Sequence, residues 1–287
     1  MSYDATLDTP RVSWRRRYST PVFSAVYTLL MKARGPVIRR WYDQMTRIDR
    51  DADMTLMNYG WASLDCSQVP VLLEEADEVN RYSIQLYHQV AGAVDLTGSD
   101  VLEVGSGRGG GASFIARYLK PGSMTGLDFS PRAIAFCNGH YSVPGLSFQQ
   151  GNAESLPFDP SSFDAVVNIE SSHCYGSIPG FLQEVHRVLR PGGHFLYSDY
   201  CQESQLDTLR HQISHTGFSI KSETDISANV LKALQDDDAR KRELINRKVP
   251  GFLRGFFNEF AGLQGTRSYN SALRRGEKVY FRFVLEK

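Results

Sequence analysis

The sequence predicts an α/β fold: a doubly wound seven-stranded sheet with its last strand antiparallel, a helical amino-terminal segment, and a helical lid inserted before that last strand. Three observations carry this. Short apolar runs alternate with helical patterns from Asp100 to Tyr200, a glycine-rich turn joins the first strand to its helix, and an alternating strand at Lys278–Glu286 follows a long helical stretch.

Taken in order, the first 90 residues read as mostly helical, with Val79–Val94 the clearest segment. Strands are expected at Asp100–Val104, Ser123–Asp128, Leu146–Gln149, Phe163–Ile169 and Gly193–Asp199. The intervening helices are Gly110–Leu119, with Phe114, Ile115, Tyr118 and Leu119 at helical spacing, then Pro131–Tyr141 and Ile178–Leu189. Ser130 as N-cap with Pro131 behind it starts the second of these, and Arg190-Pro191-Gly192-Gly193 stops the third and turns into the fifth strand. Beyond the core come a helix at Thr208–Thr216 and a strand at Phe218–Thr224, which pairs with Lys278–Glu286 at the sheet edge. Val279, Phe281, Phe283 and Leu285 share one face of that last strand. The expected organisation is a cap over 1–90, a core over 91–225, a lid over 226–277 and a final strand over 278–287. The lid stretch is too long for a bare loop.

The chain has 287 residues, with 32 basic and 32 acidic side chains, so its net charge is zero. That balance excludes a dedicated nucleic-acid binder, which needs a basic surplus to neutralise phosphates. It is also a sum of blocks: +6 over 1–50, −7 over 51–99, −3 over 100–200 and +4 over 201–287. A composition 41% hydrophobic and 22% charged supports a sizeable core. Cys66, Cys137, Cys174 and Cys201 match neither a metal knuckle nor a disulfide framework, so a reducing cytoplasm is expected. The longest apolar run, Pro21–Met31, is too short to span a bilayer and has no cleavage site, so a soluble, unprocessed chain is expected. The basic start, Arg15, Arg16, Arg17, Lys32, Arg34, Arg39 and Arg40, reads first as a solvated face. Peripheral contact with an anionic membrane through residues 11–40 is the second reading.

The chemistry concentrates in Val101-Leu102-Glu103-Val104-Gly105-Ser106-Gly107-Arg108-Gly109-Gly110-Gly111, a strand ending in glycines that let a backbone approach a nucleotide. Glu103, two residues before Gly105, is badly placed for a pyrophosphate and well placed for an ammonium or sulfonium. Asp128, followed by Phe129, ends the second strand where a carboxylate accepts ribose hydroxyls, and a dinucleotide would use it too. After the third strand, in Gly151-Asn152-Ala153-Glu154, Asn152 is placed to accept from an adenine amino group and Ala153 to offer a backbone donor.

With Asn168-Ile169-Glu170 and Val188-Leu189-Arg190-Pro191-Gly192-Gly193, this series resembles the successive motifs of class I S-adenosylmethionine-dependent methyltransferases, which are Rossmann-like. Glu74–Glu78 with Asn80-Arg81, Leu86-Tyr87-His88, Glu170-Ser171-Ser172-His173-Cys174-Tyr175, Lys241-Arg242-Glu243-Leu244-Ile245, Phe252-Leu253-Arg254-Gly255 and Gly262-Leu263-Gln264-Gly265-Thr266 narrow the likeness. Over about Asn58 to Lys287 the chain resembles the mycobacterial phthiotriol and phenolphthiotriol dimycocerosate methyltransferases and the glycopeptidolipid and fatty-acid O-methyltransferases. The resemblance implies S-adenosyl-L-methionine as cofactor and methyl transfer to a hydroxyl of a hydrophobic lipid, polyketide or secondary metabolite. It leaves open a sugar (glycolipid) acceptor, nitrogen or carbon acceptors, a dinucleotide oxidoreductase and a non-catalytic scaffold, and a homo-oligomer is compatible with it.

For oxygen methylation a positioned base is expected, and His173, just past the fourth strand, stands at the carboxyl rim with Asp199 of the fifth strand to orient it. Tyr175 and Tyr200 flank that rim. Phe252, Phe256 and Phe257 supply an apolar lid face toward a greasy acceptor, and Tyr59 and Trp61 close over the cofactor by resemblance. His211 and His215 at i, i+4 lack a third ligand, and no metal is expected.

Overall fold

The computed structural model describes residues 52–65, 67, 69–273 and 276–287. The basic start, the Pro21–Met31 run, the 11–40 membrane contact and Cys66 lie outside the described residues.

After a 3-10 turn at Glu75–Asn80, α1 spans Arg81–Ala91 and buries Ile84, Tyr87, Val90 and Ala91 on one stripe. Then follow β1 (Asp100–Val104), α2 (Gly110–Phe114), β2 (Ser123–Asp128), α3 (Pro131–His140), β3 (Leu146–Gln150), β4 (Phe163–Ile169), a 3-10 turn at Ser172–Cys174, α4 (Ile178–Val188) and β5 (Leu189–Gln202). The rest is α5 (Glu203–Thr216), β6 (Ser219–Asp225), α6 (Ser227–Asp236), α7 (Asp238–Lys248), α8 (Arg254–Phe260) and β7 (Lys278–Glu286). The expected N-cap forms, the Ser130 side chain accepting from the Ala133 amide, and Ser177 likewise accepts from the Gly180 amide, each ahead of a proline in the first turn.

The seven strands pair in the order β3-β2-β1-β4-β5-β7-β6, all parallel except β7. The order reverses between β1 and β4, and the carboxyl ends of strands at such a switch point leave a crevice. Helices cover both faces. Ile84, Tyr87, Phe114, Ile134, Val230 and Leu234 pack with Val101, Met124, Val167 and Val284 on one side. Phe181, Leu182, Val185, Leu209 and Ile213 pack with Leu102, Val104, Val166, Phe195 and Phe283 on the other. The helices before β7 add a cluster of Ile245, Val249, Phe256, Phe257 and Leu263.

Three local expectations change. The helix read over Gly110–Leu119 is α-helical only to Phe114 and widens into a π-turn over Ile115–Leu119. Arg190-Pro191-Gly192-Gly193 does not precede β5 but bulges inside it: Leu189 pairs with Phe163, the ladder resumes at His194 opposite Ala165, and Gly192 adopts φ of 77°. The last two strands do pair antiparallel, yet β7 sits between β5 and β6, so β6 is the edge. Its alternation serves both cores, with Phe281, Phe283 and Leu285 on one face and Tyr280 and Val284 on the other. Among the described residues, no helix is long and apolar enough to cross a membrane.

Candidate active site

The crevice at the switch point is a cavity walled by the ends of β1 to β4. Gly105, Ser106, Gly107, Asp128, Phe129, Asn152, Ala153, Glu170 and Tyr175 line it, and so do Arg108, Ser171 and Cys174. Gly105 needs both its φ of 79° and its missing side chain, because a Cβ there would run into Ser171 and the Tyr175 hydroxyl. Asp128 holds the loop from across the gap: Oδ2 accepts the Gly107 amide at 2.9 Å and Oδ1 the Ser130 amide at 2.9 Å. Burial raises its carboxyl, against those donors. Asn152 Oδ1 accepts the Glu154 amide at 3.2 Å, an Asx turn that presents the Asn152–Ala153 backbone to the cavity. Glu154 is not in the wall; its Oε1 accepts the Gly176 amide at 2.8 Å.

Glu103 lies beneath the glycine turn rather than in the cavity, 1% exposed, and accepts the Tyr87 hydroxyl at 2.6 Å. Desolvation pushes its carboxyl up to about 7, despite the Tyr87 bond. Tyr87 is wedged where a side chain on Gly111 would fall and does line the cavity, so the acid reaches the crevice through the tyrosine.

Tyr59 and Trp61, expected to close over the cofactor, do neither. Trp61 is buried against α1, its amide bonded to the Tyr82 carbonyl at 2.9 Å, and Tyr59 turns away to stack on Tyr200. Thr55, Leu56, Met57 and Asn58 form that wall instead. The Tyr59 amide donates to Glu170 Oε1 at 2.7 Å and its carbonyl accepts from Lys241 of α7 at 3.1 Å. Burial pushes the Glu170 carboxyl up to about 7, opposed by the Tyr280 hydroxyl and the Tyr59 amide.

Beside this cavity, the 3-10 turn after β4 brings His173 against Asp199 of β5, with Nδ1 2.8 Å from Oδ1. Asp199 is 1% exposed and saturated with donors: Ser172 Oγ at 2.6 Å and the His173 amide at 3.0 Å on Oδ2, and the Tyr200 amide at 2.8 Å on Oδ1. The bond at Nδ1 fixes the orientation of the imidazole. Burial opposes charge on His173, but the Asp199 carboxylate outweighs it and holds the imidazole well above its usual range. Burial likewise opposes the Asp199 charge, and protonated His173 with its donors keeps that carboxyl low. Tyr200 stacks on His173 with ring centroids 4.7 Å apart.

The lid aromatics do not converge on the dyad. Phe252 is 72% exposed, and Phe256 and Phe257 fill the lid's own core, where α7 and α8 need apolar contacts to pack on each other. His211 and His215 stack with each other on α5, away from either site.

The crevice fits an adenosine cofactor carrying a cation. It offers glycine backbone at two positive-φ positions and a ribose-facing acid in Asp128. Its buried Ser106 hydroxyl has no hydrogen-bond partner. Comparison with known proteins agrees. The methyltransferase-domain family matches residues 102–197. The phthiotriol/phenolphthiotriol dimycocerosates methyltransferase of Mycobacterium tuberculosis is 40% identical over 270 residues, 92% of this chain and 99% of that protein. The fatty-acid O-methyltransferase of Mycolicibacterium smegmatis is 40% identical over 219 residues, 76% of this chain and 79% of its own. Among solved structures, geranyl diphosphate C-methyltransferase from Streptomyces coelicolor A3(2), in complex with Mg2+, geranyl diphosphate and S-adenosyl-L-homocysteine, superposes with a TM-score of 0.58. At 17% identity, covering 85% of this chain and 98% of that one, it supports the fold alone.

Proposed function

The chain belongs to the family of S-adenosylmethionine-dependent methyltransferases that includes the mycobacterial phthiotriol/phenolphthiotriol dimycocerosates methyltransferases, and from that premise we propose that it methylates a hydroxyl of a hydrophobic lipid or polyketide. The observation that carries oxygen as the acceptor atom is the His173–Asp199 pair, 2.8 Å apart, with His173 next in the chain to Cys174 of the crevice wall. A neutral amine or an electron-rich alkene attacks without first losing a proton, whereas an aliphatic hydroxyl is a poor nucleophile until its proton is taken.

In this reading Gly105, Ser106, Gly107, Asp128, Phe129, Asn152 and Ala153 hold the cofactor, with Glu170 at its amino-acid end and Glu103 acting from below through Tyr87. When bound there, S-adenosylmethionine supplies a methyl on a sulfonium, whose carbon–sulfur bond is the one that breaks. On the protein's side, the acceptor O–H bond breaks, its proton passes to His173 Nε2, and the oxygen's electron pair is left to form the new bond to carbon. Asp199 keeps the ring oriented and stabilises the imidazolium that results. Tyr175 and Tyr200 shape the acceptor side, and α6 to α8 exclude water from it.

A carboxylate acceptor is the second reading, and one observation favours it. Asp199 biases His173 toward its cationic form, which needs no proton from an already ionised acid.

Transfer of labelled methyl from S-adenosylmethionine to long-chain diols, hydroxy lipids and free fatty acids tests both. The hydroxyl reading expects product from the alcohols and a loss of about 10²–10⁴-fold in His173→Ala, with cofactor affinity retained. Product from fatty acids alone, undiminished in that variant, overturns it.

A further inference from the structure

The dyad contains a difficulty. A base must be neutral to take a proton, yet Asp199 holds His173 toward imidazolium. The groups facing His173 are Asp199 and Tyr200 of β5, Cys174 of its own turn and Glu170 at the end of β4. Three of these are acids or thiols that favour the charged ring, so something must oppose them.

Lys278, the first residue of β7, is in register with Gln202 at the carboxyl end of β5, which carries its side chain onto the Tyr200 side of the sheet. Its ammonium lies 4.2 Å above the Tyr200 ring, the ring that also stacks on His173. Among the described residues no carboxylate comes within ion-pair distance of it, and the acid acting on it is Asp199. Burial lowers its affinity for a proton, against that carboxylate. A half-buried cation without its own counter-ion is costly, and here it is held by a ring face.

We propose that Lys278 is a positioning residue of the acceptor site: its ammonium, seated on the ring that stacks on His173, opposes positive charge on the imidazole and thereby keeps it able to accept the acceptor's proton. It acts across the Tyr200 ring, on a base assigned under the hydroxyl reading above. The cation also makes the acceptor side of Tyr200 favourable to an oxygen that is losing its proton.

Lys278→Met keeps the aliphatic stem over Tyr200 and removes only the charge, Lys278→Arg restores it, and Lys278→Gln serves if the methionine variant melts early. The full chain is titrated by NMR of its histidine ring protons, with the His173 signal assigned by its loss in His173→Ala. In Lys278→Met or Lys278→Gln the His173 midpoint moves up by about half a unit to one unit, and in Lys278→Arg it returns. The acid limb of kcat/KM on an alcohol acceptor moves the same way, with KM for the cofactor unchanged. A midpoint and limb that do not move in the neutral variants overturn the proposal. If the midpoint moves while the parent enzyme methylates no alcohol, the coupling stands and the hydroxyl reading falls.

Discussion

The two halves of the proposed active site are made differently. The cofactor half is built mostly by neighbours in sequence: Gly105 to Gly111 turn on themselves, and Asp128 and Asn152 each accept an amide two residues further on, Asp128 reaching back to Gly107 as well. Its contacts are largely backbone. The acceptor half is built by strangers: His173 from the turn after β4, Asp199 and Tyr200 from β5, Lys278 from β7 and Tyr59 from ahead of α1 meet through side chains. A backbone site fails when a turn cannot form, whereas a side-chain site fails when a charge or proton is misplaced. The first therefore tolerates no added atom, and the second no altered titration.

The sharpest break of this contrast is Gly105→Ala. Its Cβ would strike Ser171 and the Tyr175 hydroxyl in a φ of 79°, so calorimetry with S-adenosylmethionine should show at least a 100-fold loss of affinity while the chain still folds. Wild-type affinity in that variant would mean that the glycine turn is not the cofactor's seat. Next comes Asp199→Asn, which should leave cofactor affinity intact and cost about 10–10³-fold in turnover. Removing the carboxylate lets the His173 affinity for protons fall, so the acid limb of the rate profile moves to lower pH, opposite in sign to the Lys278 variants. The smallest effect belongs to Glu103→Gln. In the folded chain burial pushes the Glu103 carboxyl up to about 7, above the usual carboxylate range, so near neutral pH it keeps a proton that the unfolded chain has already released. Its contribution to stability is lost as pH rises from about 4.5 to about 7, and is flat above. Thermal melts at pH 5 and pH 8 should show the glutamine variant gaining on the parent at the higher pH, by at most a few kcal/mol. Equal gaps at both pH values would mean that the buried acid is already neutralised.

The same contrast explains what could be read from the residues. The turn at Gly105–Gly111, the cap at Ser130 and the strand ends at Asp128 and Ile169 follow from local rules, because each depends on residues within one or two turns of chain. His173 and Asp199 were legible as rim residues once the strands were placed, although their 2.8 Å bond was not. Tyr59 and Trp61 were misplaced by a few positions, since nothing local says which residue of an extended segment faces a crevice and which turns to α1. The lid aromatics misled for a related reason: an apolar helical stripe shows that a face is buried, not against what. Tyr87 left one signal, an acid on a buried strand that had to find a donor. Lys278 left none, because its meaning depends on β7 lying beside β5.

That placement also sets an order of events during synthesis. β7 is the last of seven strands to be made, yet it supplies the rungs on both sides of itself, to β5 and to β6. Until it emerges from the ribosome, β6 has no strand to pair with and the edge of β5 is open, a template for another chain. Methyl-transfer competence and protection from edge-to-edge aggregation therefore arrive together, with the same nine residues.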